Sequence, residues 1–444
     1  MRAQVIGNGR LKGRIPAEFA AALQALQLQG EDARALQSMS DIQWRELLPM
    51  LDRSRMTLPL AQRGYSGLPC WVQERLRSNL ADTAQHWRRV LQAAYCEAAA
   101  ALDAVAVEHL VLKGFTQAPE FVARPEFRRQ YDLDLYIQRW QIPTAVRALQ
   151  EIGYFRLRKE EDCPGSDHVA PLARFGEWKW NGSFYDPHVP PVIEIHYCLW
   201  NDALNAIAVP EIEEFWNRRK RRRIEDLAFP SLDPIDHVGY LALHILREVF
   251  KGEPPLHLVR EMATFVHWRA DDSPFWGEWR RNHSARMRSM EAIAFWLASA
   301  WFSCRLPEAV KEEIDALSPL VRSWLERWGS VPFECLFRRT REGRLLQFVL
   351  ADSHEARRTI VRMALLPGNI SSPAEVASFG THPTSREEPR LILRYLSYPG
   401  YLLSRTWMNG CAILRLLAHA CLLYARRDRV RSGWHEAMGI VRAD

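Results

Sequence analysis

The sequence predicts an α+β protein, mostly helical, with a small α/β core of short strands between an N-terminal helical region and a larger C-terminal one. Three observations predict it. Apolar residues recur at three- and four-residue spacing over much of the first hundred residues, and again through most of the chain beyond 210. Between these stretches, 131–137 and 192–199 alternate apolar and polar side chains, the period of a strand. Finally, 142–152 has helical spacing between those two strands, and strands alternating with a helix form a compact unit. The resulting division is 1–107 helical, 108–200 the α/β core, and 201–444 helical.

Helices are expected at 17–29, 41–51 and 71–107, with Pro59, Gly64, Gly67 and Pro69 punctuating a loop. The texture changes at His109, where Leu110, Val111 and Leu112 form a short buried strand that stops at Lys113 and Gly114. In the next strand Asp132, Asp134 and Tyr136 face one way, while Tyr131, Leu133, Leu135 and Ile137 face the other. Pro143 suits the first turn of the helix that follows, and Gly153 terminates it. Gly, Pro, Asp and aromatic residues over 154–190 suggest short antiparallel strands joined by loops. Beyond 210 the clearest helical stretches are 235–250, 257–270, 285–302 and 345–366. Residues 367–389 read as a long loop, and 390–427 as a last helical section.

Of the 444 residues, 48% are hydrophobic and 25% charged, an ordinary globular balance. The net charge of +6 attracts polyanions such as nucleoside triphosphates, nucleic acids or anionic headgroups without choosing among them. The eight cysteines include no C-x-x-C pair, which argues against a zinc site of ordinary spacing. The first residues lack an apolar segment of the secretory kind. No uninterrupted apolar run of about 18 residues occurs, and the nearest, 411–424, is broken by Arg415 and His419. The expectation is a cytoplasmic protein with free thiols.

Asp132 and Asp134 carry the chemistry. Aspartates at i and i+2 on a strand present their carboxylates to one face, close enough to bridge metal ions, and Mg²⁺ takes hard oxygen ligands of this kind. Glu194, on the later strand of Ile193, Ile195 and His196, can complete a three-carboxylate set. Lys113 and Gly114 end the strand upstream, and Arg128 stands four residues before Asp132.

As a set, in this order and spacing, these motifs resemble a bacterial family of uncharacterised nucleotidyltransferases: the Leu112, Lys113, Gly114 turn; Arg128 ahead of Asp132, Leu133, Asp134, Leu135; and Glu194 with His196. The resemblance covers about 108–200. It implies a polymerase-β-like nucleotidyltransferase core with a short mixed sheet. It also implies Mg²⁺, two ions with Mn²⁺ as the alternative, and a nucleoside triphosphate whose nucleotidyl group passes to a hydroxyl-bearing acceptor of unknown kind. Asp132, Asp134 and Glu194 are then the metal-binding and catalytic residues, and Lys113, Gly114, Arg128 and His196 bind substrate. The chain departs from the wider superfamily in lacking Gly-Ser at the helix entry; Lys113-Gly114-Phe115 stands there, with Thr116 the nearest hydroxyl. Gly114 permits close backbone approach, a helix N-terminus could receive phosphate, and Lys113 could supply charge.

Each residue has a plainer reading. Arg128 could brace Asp132 or Asp134 as an ion pair, and His196 could be a hydrogen-bonded structural histidine. The basic run Arg218 to Arg223 is either a nucleic-acid contact or, as favoured here, a helix end or exposed linker. His237 and His244 lie seven residues apart, too far along a helix to share one ion. The basic, apolar C-terminal segment could rest on a membrane surface, but packing within its own domain is favoured. Two alternative functions stand beside the transferase: a degenerate core that binds nucleotide or a partner without turnover, and a toxin-type enzyme that modifies tRNA.

Overall fold

Among the described residues, seven short strands form a single mixed sheet, and their side chains explain which face it buries. The strands are β1 (His109–Val111), β2 (Asp132–Ile137), β3 (Phe155–Arg156), β4 (Leu172–Ala173), β5 (Val192–His196), β6 (Lys220–Ile224) and β7 (Leu227–Ser231). Their order across the sheet is β3-β4-β5-β2-β1-β7-β6. The computed structural model describes residues 15–157, 166–176, 178–365, 403, 406–423 and 425; the expected loop at 367–389 lies outside them.

Leu133, Leu135 and Ile137 of β2, with Ile193 and Ile195 of β5, point into one core and are fully buried. The helix Gln92–Ala104 and the helix Ile142–Glu151 supply Ala98, Leu102, Ala145 and Leu149 to the same core. Removing this apolar surface from water is the main force that seats the helices on the sheet. Because side chains alternate, the polar set Asp132, Asp134, Glu194 and His196 is turned to the opposite face.

Beyond 210 the sequence reads as helical, but 220–231 forms a hairpin, and β7 joins the sheet beside β1. The run of like charges conceals it. Arg219, just before the strand, pairs with Glu108 at 3.0 Å, and on it Lys220 pairs with Asp233 at 2.5 Å and Arg223 with Asp226 at 3.3 Å. Phe229 meanwhile enters the core, its ring 4.9 Å from that of Phe115. The basic run, expected as a helix end or exposed linker, is instead a turn leading into the edge strand β6.

The chain divides into two compact units, Met1–Glu248 with Pro254–Leu317, and Val249–Glu253 with Ser318–Asp444. The first contains the sheet. The helices Leu256–Trp268 and Ala285–Phe302 pack together within it. The second is helical: Trp324 donates its indole N–H to the Glu342 carbonyl at 2.8 Å, and buried Glu334 accepts from Ser330 and Arg338. The apolar run beginning at Cys411 belongs to a longer helix, Thr406–Leu423. Among the described residues it alone is long and apolar enough to cross a membrane, with a mean hydropathy of 1.3. Trp407, Leu414 and Leu417 are exposed along it. All seven of the described cysteines are free.

Candidate active site

Strands β2 and β5 run parallel and in register, Asp134 beside Glu194 and Tyr136 beside His196. Parallel neighbours lie about 4.8 Å apart, so register alone brings the Asp134 and Glu194 carboxylates together. Asp132 precedes Asp134 by two residues on the same face and lines the adjoining cavity. β1 flanks β2 on the other side, and the Leu112 amide donates to the Asp134 carbonyl at 2.9 Å. That bond sets Lys113 beside Asp134, where its ammonium lies 2.7 Å from Oδ1.

Asp134 is almost wholly buried, and His196 Nε2 stands 2.8 Å from the same Oδ1. Burial alone would raise the Asp134 pKa, but Lys113 and His196 outweigh it and hold the carboxyl well below its usual range. Lys113 responds in the opposite sense: burial would lower its pKa, yet Asp134 raises it. Glu194 differs. Burial and the charges of Asp134 and Asp132 push its carboxyl up to about 7. Adjacent carboxylates held at such different affinities for a proton are a recurrent property of reactive sites.

The donor set fits a divalent cation. One ligand atom each from Asp134, Glu194 and His196 lies within 4.8 Å of the others, with His196 standing in this group where Asp132 was expected, and like-charged carboxylates gathered this closely are relieved by a cation between them. An ion there must displace the Glu194 proton. Binding of Mn²⁺ should release protons at pH 6, where Glu194 is mostly protonated, and far fewer at pH 8.5, above its pKa of about 7. Titration calorimetry in buffers of differing ionisation enthalpy reads this directly. Equal release at both pH values would contradict the assignment.

Gly114 adopts φ +68°, and a Cβ there would stand 2.1 Å from Gln130 Nε2. That amide donates to the Asp132 carbonyl at 2.6 Å, so the turn and the start of β2 are locked together. Gly114→Ala should cost about 1–2 kcal/mol in backbone strain and push Gln130 off the strand. The expected readout is a lowered melting temperature with weaker metal binding. The turn is a single 3₁₀ turn, Gly114–Gln117, in place of the expected helix entry. The Thr116 hydroxyl donates to the Leu112 and Lys113 carbonyls at 2.7 and 2.9 Å, so its proton is committed to the backbone. Arg222 donates to the carbonyls of Thr116 and Ala118 at 2.8 and 2.5 Å, bracing the turn from β6.

Arg128 pairs with neither aspartate. Its Nε donates to Glu261, 2.8 Å away on the helix Leu256–Trp268, and the side chain lines the same cavity as Asp132, Asp134 and Lys113. His196 is buried behind Asp134, with Nδ1 unpartnered and 3.8 Å from Asp167 Oδ2. Asp167 is gripped by Arg247; burial would raise its pKa, but His196 and Arg247 bring it down to about 2. Sequence patterns do not find Asp167 or Arg247, because the two are 80 residues apart in the chain and meet only through the fold.

This sheet, mixed and embedded in helices, with in-register acidic residues behind a Lys-Gly turn, has the character of a nucleotidyltransferase core. A family model described as uncharacterised nucleotidyltransferase matches residues 40–303, more than half of the 444, and the chain belongs to that family. No curated protein and no solved structure matches it.

Proposed function

We propose that the protein transfers a nucleoside monophosphate from a nucleoside triphosphate to a hydroxyl-bearing acceptor. The observation that carries this reading is the register of Asp134 with Glu194 on adjacent parallel strands, with Asp132 on the same face. Asp132, Asp134 and Glu194 would hold the metal, Mg²⁺ or Mn²⁺, which when bound supplies positive charge to the α-phosphate and the departing pyrophosphate.

The remaining chemistry is the chain's own. Glu194, in register beside Asp134, is placed either as the third ligand or as the base that takes the proton of the acceptor hydroxyl. Lys113 is placed to pass its charge from Asp134 to a phosphate oxygen, and Gly114 leaves room for the backbone to approach it. Buried His196 fixes the orientation of Asp134, and the Asp167 carboxylate lies 3.8 Å from its other ring nitrogen. Arg128, held by Glu261, keeps one end of its guanidinium for the cavity.

Five of the six residues of the basic run are engaged within the protein. Arg218, Arg219, Lys220 and Arg223 are each paired with an acid, and Arg222 is bound to backbone carbonyls. The test is incubation with each labelled triphosphate, Mg²⁺ or Mn²⁺, and pools of small-molecule, protein and RNA acceptors. Release of pyrophosphate together with labelling of one pool is the expected result. Tight triphosphate binding without turnover on any pool would instead identify a non-catalytic nucleotide-binding module.

A further inference from the structure

Beside the carboxylates lies a second cavity, of about 290 Å³ against about 170 Å³ for the first. Arg55, Arg128 and His257 line both, so the two share a wall. Five arginines contribute to the larger cavity, while Glu261 is its one acidic residue. Glu261 is taken by Arg128, and Arg63 pairs with Glu31 at 2.7 Å.

Arg55, Arg129 and Arg260 are left with no carboxylate in ion-pair range among the described residues. Arg129 is held by the rings of Tyr131, Phe184 and Tyr185, with only a 3.4 Å bond to the Asp52 carbonyl. Arg260 bonds the Thr264 hydroxyl and lies over Phe302. The Nε atoms of Arg129 and Arg260 are buried without a partner. Burial and Arg63 lower the Arg260 pKa to about 10, which still leaves it a cation at neutral pH. Arg55 lies 3.2 Å from His257 Nε2, and burial together with the charge of Arg55 lowers the pKa of that imidazole well below its ordinary value, so the contact brings no counter-charge. Fixed guanidiniums gathered around a cavity and short of counter-charge are costly unless an anion joins them, and planar guanidiniums grip phosphate oxygens in pairs. Phe127 and Trp268 add an apolar wall, suited to the organic part of a phosphate ester.

We propose that this arginine cavity is a phosphate-binding subsite, separate from the carboxylate cluster and contiguous with it. The phosphate belongs either to the terminal part of the donor triphosphate or to a phosphate-bearing acceptor. That choice of source rests on the transferase reading; the subsite itself does not.

The probe is inorganic pyrophosphate, titrated calorimetrically into the full chain in EDTA. Wild-type protein should bind it saturably, with an affinity that falls as salt rises. Arg260→Gln and Arg129→Gln should each weaken binding by about tenfold or more, with melting curves showing that both variants are folded. Arg223→Gln, a surface control, should leave binding unchanged, and Asp134→Asn should leave it unchanged or tighter. Absence of saturable binding, or binding that survives both arginine substitutions in folded protein, overturns the proposal. Binding lost in Lys113→Gln but not in the arginine variants overturns it too, because the anion would then sit at the lysine beside Asp134. ATP added with Mg²⁺ to the pyrophosphate-saturated protein separates the sources: displacement assigns the subsite to the donor triphosphate, and simultaneous binding assigns it to the acceptor. Arginine-dependent binding in a protein that never releases pyrophosphate from a triphosphate would refute the transferase reading and leave the subsite standing.

Discussion

Asp134→Asn is expected to abolish pyrophosphate release, lowering the rate by at least about a thousandfold, about 4 kcal/mol in the barrier. The substitution keeps size and shape and removes one charge. Asp134 is the point on which the site converges: Lys113 at 2.7 Å, His196 at 2.8 Å, and Glu194 in register on the neighbouring strand. Without the carboxylate, Lys113 loses its partner in a nearly closed setting, and a metal held as proposed would lose its most buried oxygen ligand. Binding of Mn²⁺, followed by its electron paramagnetic resonance signal, should fall in parallel. A variant that folds, binds Mn²⁺ normally and retains its rate would remove Asp134 from the proposed chemistry.

The second large effect concerns stability. His283 lies wholly buried between Glu291, 2.9 Å from Nδ1, and Asp236, 3.3 Å from Nε2. Trp279 donates to Glu291 at 2.9 Å, and Arg218 grips Asp236 at 2.7 Å, which ties the start of the hairpin to the helices behind it. With a carboxylate facing each ring nitrogen, the imidazole is the doubly protonated cation. Burial would depress its pKa, but Glu291 and Asp236 overcome that and raise it to about 10. Glu291→Ala strands the cation and the indole N–H in the interior. We expect a loss of about 3–5 kcal/mol and a melting temperature lower by roughly ten degrees.

The pH dependence has a definite sign. A histidine whose folded pKa exceeds its unfolded value contributes stability that is complete below about 6.5 and disappears as pH rises through about 10. Wild type and variant should therefore differ most near pH 6, with the gap narrowing as pH rises from about 6.5 to about 10. A gap that holds constant across that range would show that the loss comes from packing and not from the ion pairs.

The acidic residues were legible in the sequence because their arrangement is local. Two aspartates two residues apart on an alternating strand share a face whatever surrounds them, and the family resemblance added a carboxylate on a later strand. The helical character of most of the chain was legible for the same reason, since apolar spacing records which side of a helix is buried. Lys113 and Gly114 announced a turn. They did not announce that the lysine would lie on Asp134 or that the turn would be 3₁₀, with the Thr116 hydroxyl bound to its own backbone.

What remained hidden depends on partners far away in the chain. Arg128 finds Glu261, 133 residues on, and is thereby drawn away from the aspartates it precedes. The basic run forms an edge hairpin because Glu108, Asp233 and Asp236 neutralise it from outside, while Phe229 anchors the second strand in the core. Arg55, Arg129 and Arg260 come from three separate segments, so no local pattern marks them as a group. A strand's alternation is written in neighbouring residues and survives any tertiary context. Charge pairing, burial and the proton affinities they set arise only when distant segments are folded against one another, and so the carboxylates could be read along the chain while the environment that tunes them could not.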